Sequence, residues 1–366
     1  MKVAVYAICK NESAFARRWM ASMSEADQVV VLDTGSEDGT PQLLRELGAA
    51  VTEESVSPWR FDTARNRSLE LVDDDADICV CTDLDEVFRP GWRKALEAAW
   101  TAEAGQAAYR YVWSFTPTGG EDTVFWIEKI HRRHGYRWTH PVHEVLVWAG
   151  PGQSGPTVWA RGVQLDHHPD PHKSRGQYLP LLELSVAEDP EDDRNMHYLG
   201  REYYFHRRWD EAIATLERHL ALPSAQWADE RAASMGYMAK CYDQKGQPGE
   251  ALRWRLRAIA EAPHLREPWM DMAWQAYGQG NWNGVLYFTD QALAIQDRPR
   301  SYITQASAWA EGPHDLRCQA YYNTSRLPQA LEEAEKALAL APEDGRLAGN
   351  VVALRAILEQ ATPREG

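Results

Sequence analysis

Cysteine is scarce in this 366-residue chain. The five thiols, Cys9, Cys79, Cys81, Cys241 and Cys318, are scattered, form no C-x-x-C pair and are odd in number. That excludes a disulfide scaffold and argues against a cysteine-built zinc site; reduced thiols and a cytoplasmic location are expected. Long apolar runs are missing too. Nothing approaches the roughly 18 residues that cross a bilayer, so no membrane span is expected. The run beginning at Val3 stops at Lys10, too short for the apolar core of a secretory signal, and reads as a first strand. Positive charge is in deficit: 39 Lys and Arg face 54 Asp and Glu, a formal net charge of −15. A field of that sign repels phosphate backbones and acidic membranes, which makes nucleic acid a poor default partner. Phenylalanine is also low, at 7, beside 16 Trp and 15 Tyr, aromatics that fill a core yet keep one polar handle.

The length suits two domains at about 150 residues each, and the hydrophobic pattern divides the chain accordingly. The first half alternates short apolar runs with helical stretches. Strands are predicted at Val3–Cys9, Gln28–Asp33, Ala49–Glu53 and Asp77–Thr82, and helices at Asn11–Met23, from Pro41 to about Leu47, and at Arg60–Val72. Such alternation predicts a mainly parallel sheet covered on both faces, with ligands at the carboxyl ends of its strands. The polar groups of interest sit at three of those ends: Lys10-Asn11-Glu12, Asp33-Thr34-Gly35-Ser36 and Asp83-Leu84-Asp85-Glu86. From about Arg194 the pattern becomes continuous helix with internal repetition. Small residues recur at Gly200 and Ala212, Ala239 and Ala251, Ala273 and Val285, Cys318 and Ala330. Ala258 to Ala292 spans 34 residues, while Ala292 to Ala337 spans 45, which places an insertion around Arg298–Trp309. These offsets resemble the tetratricopeptide repeat, in which stacked helix pairs share one core; Leu347–Gln360 would cap the stack. The expected domains are therefore 1–180, α/β, and 181–366, all-α.

The sharpest local feature is Asp83-Leu84-Asp85 at the end of an apolar strand. Paired carboxylates there suit a hard divalent cation, Mn²⁺ or Mg²⁺, that leaves positions for substrate phosphates. In isolation the pattern is also that of a solvated acidic turn. Three further segments accompany it: Ala7-Ile-Cys-Lys-Asn-Glu12, Val30-Val-Leu-Asp33-Thr-Gly-Ser-Glu-Asp-Gly-Thr40, and Phe61-Asp-Thr-Ala-Arg65-Asn66. Together, and in this order, they resemble the family 2-type glycosyltransferases of GT-A fold across roughly residues 1 to 180, and more narrowly a bacterial subgroup in which that domain precedes tetratricopeptide repeats. The resemblance implies a Rossmann-like nucleotide-diphospho-sugar transferase, a nucleotide diphosphate sugar donor (a UDP-sugar favoured) and an inverting mechanism. It implies that Ala7, Lys10, Asn11, Glu12, Asp33, Arg65 and Asp83 line the donor site. Asp33 would meet a base imide N–H or cap the following turn. Arg65 would pair with a carboxylate or phosphate, or form a helix-surface ion pair. Asp85 would ligate the metal; Glu86 would support the turn or face the acceptor.

The segment from Lys129 reads as a hairpin turning at His134-Gly135 and followed by His143-Glu144. Inverting transfer needs a carboxylate that removes the acceptor proton. The resemblance implies Glu144 as that base, with His143 orienting it or touching the diphosphate; a structural ion pair is the bland alternative. Further on, Val163-Gln-Leu-Asp-His167-His168 ends an alternating strand. His167 shares a face with Val163 and Leu165 and is the candidate neutral-imidazole metal ligand, with His168 facing away. Lys173 and Arg175 follow and would approach the phosphates. Arg132, Arg133 and Arg137 form the strongest basic cluster, read as a solvated face.

Six tryptophans (Trp209, Trp254, Trp269, Trp274, Trp282 and Trp309) fall at repeat positions and are expected mostly in the core. Five others (Trp113, Trp126, Trp138, Trp148 and Trp159) crowd the proposed acceptor side, where Trp126 and Trp138 would offer a stacking platform. The acceptor class stays open, and a protein partner on the repeats is expected. Two other readings compete. In one, a non-catalytic scaffold binds a peptide on its repeats beside a degenerate sugar-nucleotide fold. In the other, a nucleotidyltransferase would need a glycine- and Arg/Lys-rich loop after the first strand, which Cys9-Lys-Asn-Glu12 does not provide.

Overall fold

The computed structural model describes residues 1–116, 119–170 and 176–361. The chain divides into two compact units. The first comprises Met1–Thr116 and Val124–Asp189, and the main body of the second begins at Pro190. The division falls after the expected boundary at 180, because the helix that starts at Tyr178 belongs to the first unit.

The first unit is built on one eight-stranded sheet. Strands β1 (Val3–Cys9), β2 (Gln28–Asp33), β3 (Ala50–Glu53) and β4 (Ile78–Cys81) are joined by helices α1 (Ser13–Ser22), α2 (Thr40–Glu46) and α3 (Phe61–Glu70). They pair in parallel in the order β3-β2-β1-β4. All seven residues of β1 are buried, as a parallel strand covered on both faces requires. The rest of the sheet adds antiparallel pairs to this parallel part. Strand β5 (Glu86–Phe88) and helix α4 (Trp92–Ala99) follow, then β6 (Gln106–Val112), β7 (Val124–Arg132), β8 (Tyr136–Thr139), β9 (Val145–Trp148) and β10 (Thr157–His167). β7 is antiparallel to both β4 and β6, β10 is parallel to β6, and β5 closes the edge antiparallel to β10. The sheet is therefore mixed, because β6 and β7 are joined without a crossover helix.

The expected hairpin is also displaced. The turn at His134-Gly135 links β7 to β8, but these strands do not pair; β8 pairs with β9, Thr139 opposite Val145, as a separate two-stranded sheet. His143 and Glu144 thus lie in the hairpin tip.

Two layers cover the sheet. On one face Val3, Val5 and Ala7 pack with Trp19 and Met23 of the first helical segment, Leu44 of α2 and Trp92 and Leu96 of α4. On the other, Ala4, Tyr6 and Val30 pack with Leu69 of α3, Trp138 of β8 and Leu146 of β9. A buried polar chain crosses this second layer. Trp138 Nε1 donates to the Tyr6 hydroxyl (2.9 Å), which donates to His131 Nε2 (2.7 Å), leaving Nδ1–H for the carbonyl of Arg132 (2.6 Å). That proton order needs a neutral His131, and burial depresses its pKa to about 4. Asn66 of α3 clamps the hairpin: its side chain donates to the Trp138 carbonyl and accepts from the Trp138 N–H, each at 2.8 Å. The basic cluster is only partly a solvated face. Arg132 bonds the carbonyls of Ala102 and Ala104, and Arg133 that of Val72 (2.8 Å).

Helix α5 (Tyr178–Glu188) ends the first unit. The second is a series of helix pairs, α6 (Asp193–Phe205) with α7 (Trp209–Ala221), α8 (Ala228–Gln244) with α9 (Pro248–Glu261), and α10 (Arg266–Gly278) with α11 (Trp282–Ala294). After the insertion, which includes the short α12 (Ala306–Trp309), come α13 (Gly312–Asn323), α14 (Leu327–Leu340) and α15 (Gly345–Ala361). The repeated small residues Ala212, Ala239, Ala251, Ala273, Val285 and Ala330 are fully buried where helices meet. A Cβ on Gly200 would lie 2.5 Å from the Leu216 side chain, so hydrogen alone fits there. The repeat tryptophans cover the core from its edge rather than filling it: Trp269, Trp282 and Trp309 are half-buried, and Trp274 is exposed, against expectation. No described helix is long and apolar enough to cross a membrane.

Two outcomes follow. Asn66→Ala removes both bonds to the Trp138 backbone, which at about 1 kcal/mol each should lower stability by about 2 kcal/mol. It should also raise hydrogen exchange at the Trp138 amide, read by mass spectrometry. For His131, the folded pKa lies below the unfolded value near 6.5, so the unfolded chain binds more protons between the two. Stability should therefore fall as pH drops from about 6.5 to about 4. Urea midpoints across that window should fall less steeply in His131→Gln.

Candidate functional site

Three loops at the carboxyl ends of β1, β2 and β4 meet side by side, because these strands are neighbours in the sheet. Asp33 shapes the middle one. Its Oδ1 accepts from the N–H groups of Gly35 (3.0 Å) and Ser36 (2.9 Å), and its Oδ2 from the Ser36 hydroxyl and the Cys9 thiol (3.3 Å). This is the turn-capping role, with both carboxylate oxygens engaged. The first loop is tied to the second: Asn11 donates N–H to the Ser36 hydroxyl and accepts from the Glu37 N–H, each at 2.8 Å, and Glu12 N–H bonds Thr40 Oγ1. Asn11 holds a left-handed backbone (φ 55°), a conformation that asparagine tolerates better than most L residues. Ala7 is buried within β1, and Lys10 is exposed at its end.

Arg65 organises the rest. It stands on α3, 4% exposed, and donates from Nε to Glu144, from Nη1 to Cys81 Sγ (3.2 Å) and from Nη2 to both oxygens of Asp83 (2.9 and 3.2 Å). Its guanidinium carbon lies 5.3 Å from the centre of the Trp138 ring. Burial opposes its charge, but Asp83 and Glu144 outweigh that and hold its pKa well above the ordinary value. The helix-surface alternative is thus replaced by a buried bridge between the strand-end carboxylate and the hairpin tip. That tip is itself strained: His140 and His143 have φ of 75° and 51°. His143 stacks on Tyr178 (5.9 Å between centres, 16°), which stacks in turn on Phe61. Glu144 Oε2 has no protein partner among the described residues.

On the other side of Asp83, Lys129 of β7 reaches in, its Nζ 3.1 Å from Glu86 and 3.6 Å from Asp83. Glu86 is 1% exposed and also accepts from the Tyr111 hydroxyl (2.7 Å) and the Asp83 N–H (2.9 Å). It supports the turn; at 1% exposure it presents no face to an acceptor, which corrects that alternative. Lys129 was not foreseen: a lone lysine within a nine-residue strand carries no motif, and only the pairing of β7 with β4 brings it here.

Asp85 and His167 also meet, with Nε2 3.5 Å from Oδ2. The His167 Nδ1 bonds the Trp113 carbonyl (3.0 Å), which fixes the ring and leaves Nε2 to Asp85. Val163 and Leu165 are buried on the same face, while His168 turns away to stack on Phe115, as the alternation requires. The Trp113 ring stacks on His167 (4.4 Å, 22°) and is 43% exposed.

The stacking platform is corrected for Trp138: at 2% exposure, with Nε1 on Tyr6 and Arg65 over its ring, it cannot receive a ligand. Trp126 is half-buried and packs edge-on against the exposed Trp159. Lys173 and Arg175 lie outside the described residues.

Residues 5–146 match the model of Glycosyl transferase family 2. Among solved structures, the chain resembles a repeat-containing protein of Cytophaga hutchinsonii (17% identity, 52% of this chain and 69% of that one, TM-score 0.41). It also resembles a thermophilic TPR protein of Thermus thermophilus (19%, 50% and 92%, 0.37) and yeast Tom70 (13%, 52% and 37%, 0.41), of which it spans little more than a third. The matched stretch runs from β1 through Glu144 to β9 and so contains every strand-end loop described above except the one carrying His167. Residues 5–146 are therefore similar to glycosyl transferase family 2, and a series of helix pairs follows them in the same chain.

Proposed function

We propose that the chain transfers a sugar from a nucleotide diphosphate sugar, UDP-linked by preference, to an acceptor hydroxyl with inversion at the anomeric carbon. The observation that carries this reading is Arg65: one buried guanidinium binds both the strand-end Asp83 and the hairpin Glu144, so donor-side and acceptor-side carboxylates share one anchor. The preference for UDP rests on the likeness of the strand-end motifs.

Glu144 Oε2 accepts the acceptor's hydroxyl proton. The acceptor oxygen then bonds the anomeric carbon from the face opposite the diphosphate, and the bond from that carbon to the diphosphate oxygen breaks. Arg65 orients Glu144, and the Glu144 oxygen it does not hold faces the proton. Lys129 and Arg65 supply fixed positive charge near Asp83. Among the described residues Asp83, Glu86 and Glu144 meet Arg65 or Lys129 and Asp85 meets His167, an acidic cluster to which a divalent ion would add positive charge. The donor set fits Mn²⁺ or Mg²⁺: a carboxylate and an imidazole whose far nitrogen is fixed on a backbone carbonyl. Asp85 and His167 would hold it, and when bound it would neutralise the leaving diphosphate. The exposed ring of Trp113, stacked on His167, takes over the stacking role expected of Trp138.

Glu144→Gln should lower turnover by about 10²- to 10⁴-fold while leaving UDP binding intact; unchanged turnover in a screen of UDP-sugars removes the base assignment. Asp85→Ala should abolish the Mn²⁺ dependence of UDP binding in calorimetric titration, with His167→Ala weakening it. Equal UDP affinity with and without Mn²⁺ in the wild-type chain refutes the metal site.

A further inference from the structure

Three ionisable side chains meet at one end of the first two helix pairs. Asp193 opens α6, His219 sits in the last turn of α7, and Glu230 sits in the first turn of α8. These helices pack in succession through short connections, so the start of α6, the end of α7 and the start of α8 fall together. One oxygen or nitrogen from each side chain lies within 4.8 Å of the other two, and His219 Nε2 is 3.3 Å from Glu230 Oε1. His219 is fully buried, Glu230 is 3% exposed and Asp193 is half-buried. The Asp193 carboxylate makes no hydrogen bond or ion pair with any described residue.

Both buried members are held from behind. His219 Nδ1 is 3.0 Å from the Ser234 hydroxyl, which also meets His197 Nδ1 at 2.7 Å. The far oxygen of Glu230 accepts from the Tyr302 hydroxyl. Outer partners of this kind fix the tautomer and direction of metal-binding side chains. The serine can pass its protons either way. In one direction His219 keeps a proton on Nε2 and donates it to Glu230 across 3.3 Å, long beside the roughly 2.7–2.9 Å of a charge-assisted bond. In the other, Ser234 donates to His197, which burial keeps neutral with its pKa pushed down to about 3. His219 then donates Nδ1–H to Ser234, and its Nε2 lone pair faces two carboxylates, an arrangement that a cation satisfies.

We propose that Asp193, His219 and Glu230 bind a divalent transition metal, zinc fitting best, through one imidazole, two carboxylates and a water. Zinc bonds of about 2.0–2.1 Å set tetrahedral neighbours about 3.3 Å apart, the separation His219 and Glu230 already have. Asp193 breaks no bond in closing on the same point, and the imidazole favours zinc over magnesium. The bound ion ties the first turn of α6 to α7 and α8. The site is independent of sugar transfer and uses none of its residues.

The test uses the full chain carrying Asp85→Ala and His167→Ala, which removes the metal ligands proposed for the first unit, after dialysis against a chelator. Calorimetric titration with Zn²⁺ alone should give one ion per chain with a Kd of about 1 µM or tighter. X-ray absorption at the zinc edge should show nitrogen and oxygen neighbours and no sulfur. Adding Asp193→Asn, a half-buried side chain with no bond to lose, should weaken binding at least about tenfold while circular dichroism stays unchanged. His219→Gln should abolish it. A Kd weaker than about 100 µM, sulfur bound to the zinc, or affinity undiminished in either variant would each overturn the proposal.

Discussion

A single buried guanidinium sets the terms for the first unit. Arg65 is surrounded by protein, so its charge is tolerable only while Asp83 and Glu144 both stay against it. Those carboxylates come from different elements, one from the end of β4 and one from the tip of the β8–β9 hairpin. Meeting the needs of one cation therefore fixes the distance between the strand ends and the hairpin. Cys81 cannot share that load: burial pushes its thiol up to about 11, so it stays protonated and only lends a sulfur lone pair. The arrangement converts an electrostatic necessity into positional accuracy, which reactions between two bound partners demand.

The scaffold supports that bridge from two directions. β1 is wholly apolar and pairs with β2 on one side and β4 on the other, so its own loop and those of Asp33 and Asp83 emerge side by side. α3 and the hairpin cover the same face of this sheet, joined by the Asn66 amide and by the Phe61 N–H to the Pro141 carbonyl (3.0 Å). A side chain on α3 and one on the hairpin tip can then meet without any long, flexible connection. Left-handed residues at His140 and His143 turn the tip back over α3.

How much of this could be read in the chain depends on range. The first four strands and three helices were legible because each is written locally: QVVVLD is a continuous apolar run, and Pro41 marks a helix start. The small residues of the helix pairs were legible because the same packing recurs. The alternation that buries Val163, Leu165 and His167 on one face was legible for the same local reason. What failed was long-range. β7 leaves its apparent hairpin partner to pair with β6 and with β4, the latter 50 to 54 positions away. That choice hides Lys129 from any motif, and Trp138 is buried beneath Arg65 while Trp113 and Trp159 are exposed. A tryptophan count can announce an aromatic-rich region; which rings face solvent is decided by pairings the count does not contain.

The hairpin that bears Glu144 has only two strands, and two strands alone are at best marginally stable in water. Its order is borrowed from α3 and from the apolar layer around Tyr6. Local opening of the hairpin would therefore withdraw Glu144 from Arg65 while the strand-end loops, held by β1, β2 and β4, stay in place.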